Sequence, residues 1–165
     1  MRFISDENVP ALLADFVGPC LPAAGTFHTL HAAEPSLISA DDDAVLDGLT
    51  GRYDVLVTQD GRMRTHHLDA LTASRLHWLH IPEPTRGGER GVMEVAAALL
   101  RSLPHFLDAL DKSGARAPLW MKCKGLQREV PQAVAFYRPG TTRELKGEAI
   151  EQYLAVAHLP RRKHA

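Results

Sequence analysis

Short apolar runs, bounded by turns and separated by helix-length stretches, constrain this chain more than any other feature. RFIS, the VLVT inside YDVLVTQD, and HWLHIP are too short to be core helices and too continuously apolar to be half-exposed strands. Strands of that kind are buried on both faces, the pattern of a parallel sheet covered by helices. The stretches between them supply the helices. VPALLADFVGPCL has Pro10 near its first turn and Gly18-Pro19 at its end, and SADDDAVLDGLTG begins a short helix that Gly51 stops. GTFHTLHAAE reads as a second strand, a helix follows over about Met63 to Arg75, and a long amphipathic helix runs from about Gly91 to Lys112, with Pro104 starting its last turns or kinking it. The expected fold is α/β: a three-layer sandwich with a mainly parallel sheet over residues 1–112. Residues 113–165 are expected to be a C-terminal α/β extension packed on the same domain. In it PLWMKCKG and AVAFYRPG read as strands, a hairpin or an added edge pair, and EAIEQYLAVAHL as a helix.

Composition narrows the function classes. The chain has 165 residues, enough for one domain with its own core, and its 45% hydrophobic share, 24% charged share and net charge of −1 describe neither a disordered segment nor a protein built to coat nucleic acid. A polyanionic partner must therefore meet a local patch. Lysine is absent before Lys112, so arginine carries the basic charge of the first part. Cys20 and Cys123 stand far apart without ligand spacing, and the histidine pairs in HTLH and HWLH lack cysteine partners, so neither a zinc site nor a disulfide framework is expected. Asp6 and Glu7 fall where a signal peptide would be basic and then apolar, and no run is long enough to span a bilayer, so a cytoplasmic protein without membrane contact is expected. The Gly-rich GGERG follows PEPTR and carries no GxxxxGK[ST] pattern, which argues against ATP or GTP chemistry.

The carboxylates carry the chemistry. Every strand of an open parallel sheet ends on the same edge, and ligands bind there where the strand order reverses. The first strand delivers Asp6, Glu7 and Asn8 to that edge, and the third delivers Asp60. Asp41, Asp42 and Asp43 head the helix that leads into the third strand. Each acid has a local explanation: Asp6 or Asn8 as a cap for the helix that Pro10 enters, the Asp41–Asp43 run as first-turn acids favoured by the dipole, Asp60-Gly61 as a turn pair. Capping does not predict that all of them reach one edge. Carboxylates gathered there repel unless a cation neutralises them, and Mg²⁺ or Mn²⁺ suits an all-oxygen site. Such an ion supports phosphodiester hydrolysis.

ISDENVP, SADDDAVLDGL and YDVLVTQDGRM together resemble the PIN-domain superfamily, in particular the short PIN-like proteins related to VapC-type toxins; the resemblance covers about residues 1–81. By position Asp6 matches the first acid, Asp60 the last, and Asp42 the middle one, with Val45 three later; Asp43 serves after a one-residue slip. The resemblance implies a Mg²⁺- or Mn²⁺-dependent ribonuclease, with Asp6, Asp42 and Asp60 catalytic and with Asp43 a further metal ligand, commonly neutralised by an antitoxin protein and able to form a homodimer. Many members add an acid between the first two motifs, where this chain offers Asp15 and Glu34. Substrate binding then falls to Arg62 and Arg64, with Thr58 and Asn8 as polar neighbours and Arg86, Arg90, Lys122 and Lys124 further off. His66 and His67 follow Asp60 on a helix and have a surface or core role unless they touch substrate. Two rivals stand beside this reading. A receiver-like phosphoacceptor domain shares acids after strands one and three and needs Lys122 or Lys124 as its lysine. A catalytically silent interaction module would use the long helix around Val92 to Leu110 and the apolar strands WMKC and AVAFY to bind another protein.

Overall fold

Phe3 and Ile4 are neighbours in the chain, point to opposite faces of the first strand, and are both fully buried. That arrangement needs cover on two sides, and the chain provides it. The computed structural model describes residues 1–22, 25–85, 87–113, 117–124 and 134–156. Its strands are β1 (Arg2–Ser5), β2 (Thr26–Thr29), β3 (Val55–Thr58), β4 (His77–His80), β5 (Trp120–Cys123), β6 (Val134–Tyr137) and β7 (Glu144–Leu145). The helices are α1 (Leu13–Val17), α2 (Leu30–Ala33), α3 (Asp42–Leu49), α4 (Met63–His66), α5 (Leu68–Ser74), α6 (Gly88–Ser113) and α7 (Glu148–Val156).

The strands form one sheet in the order β2-β1-β3-β4-β5-β6-β7. The first five pair in parallel, and β6 and β7 add antiparallel to that edge. The protein is thus an α/β sandwich with a mainly parallel sheet. One core joins Phe3, Val57, Leu79 and Met121 of the sheet to Leu13 and Val17 of α1 and to Val95, Leu99 and Phe106 of α6. The opposite core joins Ile4, Leu56, Trp78 and Trp120 to Leu30, Val45, Leu46 and Met63 of α2, α3 and α4. The sheet runs on without a break past residue 112, since β5 pairs directly with β4.

Several elements differ from the sequence expectation, each for a local reason. The second strand stops at Thr29, whose hydroxyl accepts a hydrogen bond from Ala32 N–H and turns the chain into α2. Residues 10–12 form turns, so α1 begins at Leu13, and neither Asp6 nor Asn8 caps it. The helix expected over 63–75 is divided at His67, where φ is −118° and ψ is 36°. Pro104 lies inside α6, which runs through it to Ser113. The apolar stripe of α6 and the strands β5 and β6 are built into the cores: Leu99, Phe106 and Trp120 are buried. Those faces are occupied by the fold itself, and the large apolar side chains left exposed include Leu12 and Phe16 on or beside α1 and Met93 on α6. Among the described residues, no helix is long and apolar enough to cross a membrane. Arg86 and the end of the last expected helix lie outside the described residues.

Candidate functional site

The strand order reverses between β1 and β3, because β2 lies on one side of β1 and the rest of the chain builds outward from β3. The carboxyl ends of these two neighbours carry Asp6 and Asp60. Asp6 continues the ladder, its N–H donating to Val57 O at 3.0 Å. The Thr58 hydroxyl donates to Asp6 Oδ2 in a short hydrogen bond and accepts from Asp60 N–H at 2.8 Å. One threonine therefore bonds the Asp6 carboxylate and the Asp60 backbone. Asp6 Oδ1 accepts from Asn8 N–H at 3.1 Å, which holds the turn that follows β1.

Asp6 is 6% exposed, and burial pushes its carboxyl up to about 6 against the hydrogen bonds from Thr58, Asn8 and Val9, with the Asp60 charge pushing the same way. Asp42 is half-buried; burial raises its carboxyl, His67 lowers it, and the Asp60 charge raises it again. Asp60 is thus the common neighbour of Asp6 and Asp42. The Asp41 side chain caps α3 by accepting from Ala44 N–H at 2.8 Å. Asp42 and Asp43 both turn to His67, with Asp42 Oδ2 at 3.1 Å from Nε2 and Asp43 Oδ1 at 2.8 Å from Nδ1. The bond to Asp43 is the main reason that the His67 imidazolium is favoured. His67, which sequence reading left as a surface or core residue, is thus the partner of the acid pair and stands at the break between α4 and α5.

The other named residues divide clearly. Glu7 is exposed and accepts from Ser39 N–H at 2.9 Å, anchoring the loop before α3. Glu34 is buried in a network with Arg52 and the Tyr53 hydroxyl, and Asp15 is exposed on α1. Neither extends the acid cluster. Arg62 stays beside Asp60, N–H to Oδ1 at 2.8 Å and Nε to Oδ1 at 3.8 Å. Arg64 turns the other way and lies over the Tyr137 ring, its Cζ at 3.9 Å from the centroid. Arg64 Nε and Nη1 and His80 Nδ1 are buried with no hydrogen-bond partner among the described residues. Thr58, His80 and Lys122 sit side by side on β3, β4 and β5, and the charges of Lys122 and Arg64 help burial hold the His80 imidazole down at about 4. A basic flank therefore adjoins the acidic one. Gly61 passes so close to His80 that a Cβ there would meet Nε2 at 3.1 Å, which accounts for glycine in the turn.

A cleft of about 610 Å³ opens beside Asp60, lined by Asn8, Gln59, Asp60 and Arg62 and by Glu83 and Thr85 from the loop after β4. Glu83 was not singled out from the sequence. The signal was present, since HWLHIP is itself a strand and Glu83 follows its carboxyl end on the edge where Asp6 and Asp60 lie.

Among the described residues, no group of three His, Cys, Asp or Glu side chains is arranged to hold a metal ion as it stands. The donor set nevertheless fits a hydrated Mg²⁺ or Mn²⁺, which takes one or two carboxylates and keeps several waters: Asp6 and Asp60 share Thr58, and Asp6 is a carboxylate whose burial penalty a cation would relieve. No protein-family model, no curated protein and no solved structure matches the chain.

Proposed function

We propose that this protein is a PIN-like, Mg²⁺- or Mn²⁺-dependent ribonuclease, acting as the toxin of a toxin-antitoxin pair. The observation that carries this reading is the meeting of acids at the β1/β3 reversal: the Thr58 hydroxyl bonds the Asp6 carboxylate and the Asp60 N–H, and the Asp60 charge acts on both Asp6 and Asp42. Asp6 and Asp60 would hold the ion, with Asp42 and Asp43 reaching it once they exchange His67 for the metal. Bound there, the ion supplies an activated water and offsets charge on the phosphodiester in the transition state.

The chain's own groups do the rest. Thr58 keeps the Asp6 carboxylate turned toward Asp60, and the Asn8 N–H keeps it from rotating. His67 neutralises the Asp42–Asp43 pair. Arg62, beside Asp60, meets a substrate phosphate, and Arg64 and Lys122 form a second basic contact on the His80 side. An antitoxin would cover this edge or the exposed Leu12, Phe16 and Met93.

The test is cleavage of single-stranded RNA in Mn²⁺ by wild type, Asp6→Asn and Asp60→Asn. Wild type cuts, and each variant loses at least ~100-fold, the scale on which removing a transition-state electrostatic partner acts. Undiminished cutting by both variants would remove the site.

A receiver-like phosphoacceptor is the second reading, favoured by one observation: the order β2-β1-β3-β4-β5 is also that of receiver domains, and Lys122 lies on β5 beside His80, on which the Asp60 charge also acts. Glu7, the acid such a domain would pair with Asp6, is instead bonded to Ser39. Labelling of Asp60 by acetyl phosphate would decide for this alternative.

A further inference from the structure

The sheet face packed against α3 and α4 carries N–H groups that the fold leaves unpaired. Leu56, Trp78, Trp120 and Tyr137 form one row across β3 to β6. Thr58, His80, Lys122 and Ala135 form the next row on the same face, because side chains two apart along a strand point the same way. Arg64 reaches this face from α4 and lies over the Tyr137 ring. Among the described residues, the indole nitrogens of Trp78 and Trp120 and the Nε and Nη1 of Arg64 are buried without a hydrogen-bond partner. Folded proteins leave few buried donors unpaired, and a trapped water can satisfy an indole. A guanidinium asks for more, since it is always charged, can only donate, and is costly to bury without an acceptor. The charges of Arg64 and Lys122 both act on His80, so the two cations share one corner, and neither forms a salt bridge with a described carboxylate. Glu144, whose charge reaches Tyr137, is paired with Lys124 at 3.5 Å, and Asp60, whose charge reaches His80, has Arg62 beside it.

Two cations in one corner, one of them with buried and unpaired N–H groups, call for an oxyanion. Position selects its kind. The corner lies between α4 and the sheet, which close it above and below, so a group at the end of a ligand can enter, whereas a diester within a chain must also find a way out. Charge points the same way: a phosphate monoester approaches two negative charges at pH 7, matching the two cations, and a diester carries one. Resting on the ribonuclease reading and deepening it, we propose that Arg64 and Lys122 form a pocket for a phosphate monoester, the terminal phosphate of the RNA substrate. Ala135, next to Lys122 in its row, adds only a methyl group to the corner, and the Tyr137 ring keeps the guanidinium over it. Two strand spacings, about 10 Å, separate Lys122 from Thr58, which bonds Asp6. A seated end phosphate therefore sets the cut at a short, fixed distance from that end.

The test uses full-length, metal-free protein, so that binding is read apart from cleavage. It is titrated at constant ionic strength with one short RNA carrying a 5′-phosphate, a 3′-phosphate or hydroxyl ends, and separately with inorganic phosphate. Fluorescence anisotropy gives the affinities, and the Arg64 Nε–H and the indole N–H signals of the chain's two tryptophans report the pocket. One of the end-phosphorylated RNAs is expected to move the Arg64 signal and to bind about 10-fold tighter than the hydroxyl RNA, the worth of one charged hydrogen bond. Arg64→Gln and Lys122→Gln are each expected to shrink that gap to under about threefold. Arg101→Gln, the same loss of charge at an exposed position on α6 across the sheet, is expected to keep it. Equal binding of the three RNAs with the Arg64 signal unmoved overturns the proposal, as does a preference that survives both pocket variants. Inorganic phosphate moving the same signals without any preference among the RNAs overturns the RNA end and assigns the pocket to the free ion. Cutting in Mn²⁺ without regard to the ends sinks the pocket and leaves the nuclease standing; end-phosphate binding without any cutting does the reverse.

Discussion

Asp6 is a carboxylate kept where water reaches it poorly, and that one residue ties stability to function. Its pKa is raised from 3.8 to about 6, so it is protonated in the folded chain over a range where the unfolded chain has already ionised. The sign follows: the favourable contribution is complete below about pH 4 and is lost as pH rises through about 6. A shift of that size corresponds to ~3 kcal/mol between the two protonation states. His67 works in the same direction, because its pKa is also raised: its contacts with Asp42 and Asp43 stabilise at low pH and weaken as the ring loses its proton. Metal-free protein should therefore lose stability in urea unfolding between about pH 4 and pH 6 through Asp6 and further above about pH 6.5 through His67, and Asp6→Asn should flatten the first part of that loss, gaining ~1–2 kcal/mol over wild type near pH 8 and nothing near pH 4. A variant destabilised equally at both pH values would show that the carboxylate is an ordinary structural acceptor. Mn²⁺ should reverse the trend in wild type, raising the melting temperature more at pH 8 than at pH 5, because the ion and the proton compete for Asp6. The Asn variant should lose most of that response.

The elements show why some of this was legible beforehand and some was not. RFIS, VLVT and HWLH were readable as strands because Phe3, Ile4, Val55 and Leu79 are each buried whichever face they point to, so composition alone marks them. The pairing of His67 with Asp42 and Asp43 was not readable, since it joins the break between α4 and α5 to an element earlier in the chain. Glu83 was missed for a similar reason: its value comes from β4 lying next to β3, a fact of strand order. Ser39 belongs to this scale as well. It has φ of 62°, a conformation that costs a side chain, and its backbone N–H donates to Glu7. Ser39→Gly should keep that bond and stabilise the protein by ~0.5–1 kcal/mol, read from the urea midpoint; a loss of stability would mean that the Ser39 side chain has work of its own. Gly61→Val should do the opposite, because its branched side chain would be driven into His80, already within 3.1 Å of a bare Cβ. The expected cost is ~1–3 kcal/mol by overpacking, accompanied by displacement of Asp60 and loss of cleavage.

At the scale of the whole molecule, a net charge of −1 leaves little long-range attraction for RNA, and on the proposed reading binding would fall to the arginines and the lysine that flank the acids. The sheet arranges those charges by strand order: acids at the ends of β1 and β3, Arg62 in the turn after β3, Arg64 on α4 over Tyr137, and Lys122 on β5. On the proposed reading, the groups that would hold the cation and those that would meet phosphate are parts of one edge. The consequence is a weak salt dependence. For single-stranded RNA each phosphate neutralised contributes about −0.7 to the slope of log K against log salt, so contacts through Arg62, Arg64 and Lys122 predict a slope of about −2. Binding of a short RNA to the Asp6→Asn protein, followed by fluorescence anisotropy across a salt series, measures it directly. Arg62→Gln should take the slope toward about −1.4 and weaken binding to all sequences alike. A slope of about −5 or steeper would require contacts with many more phosphates than this edge can reach, and would move the RNA path onto a different face of the protein.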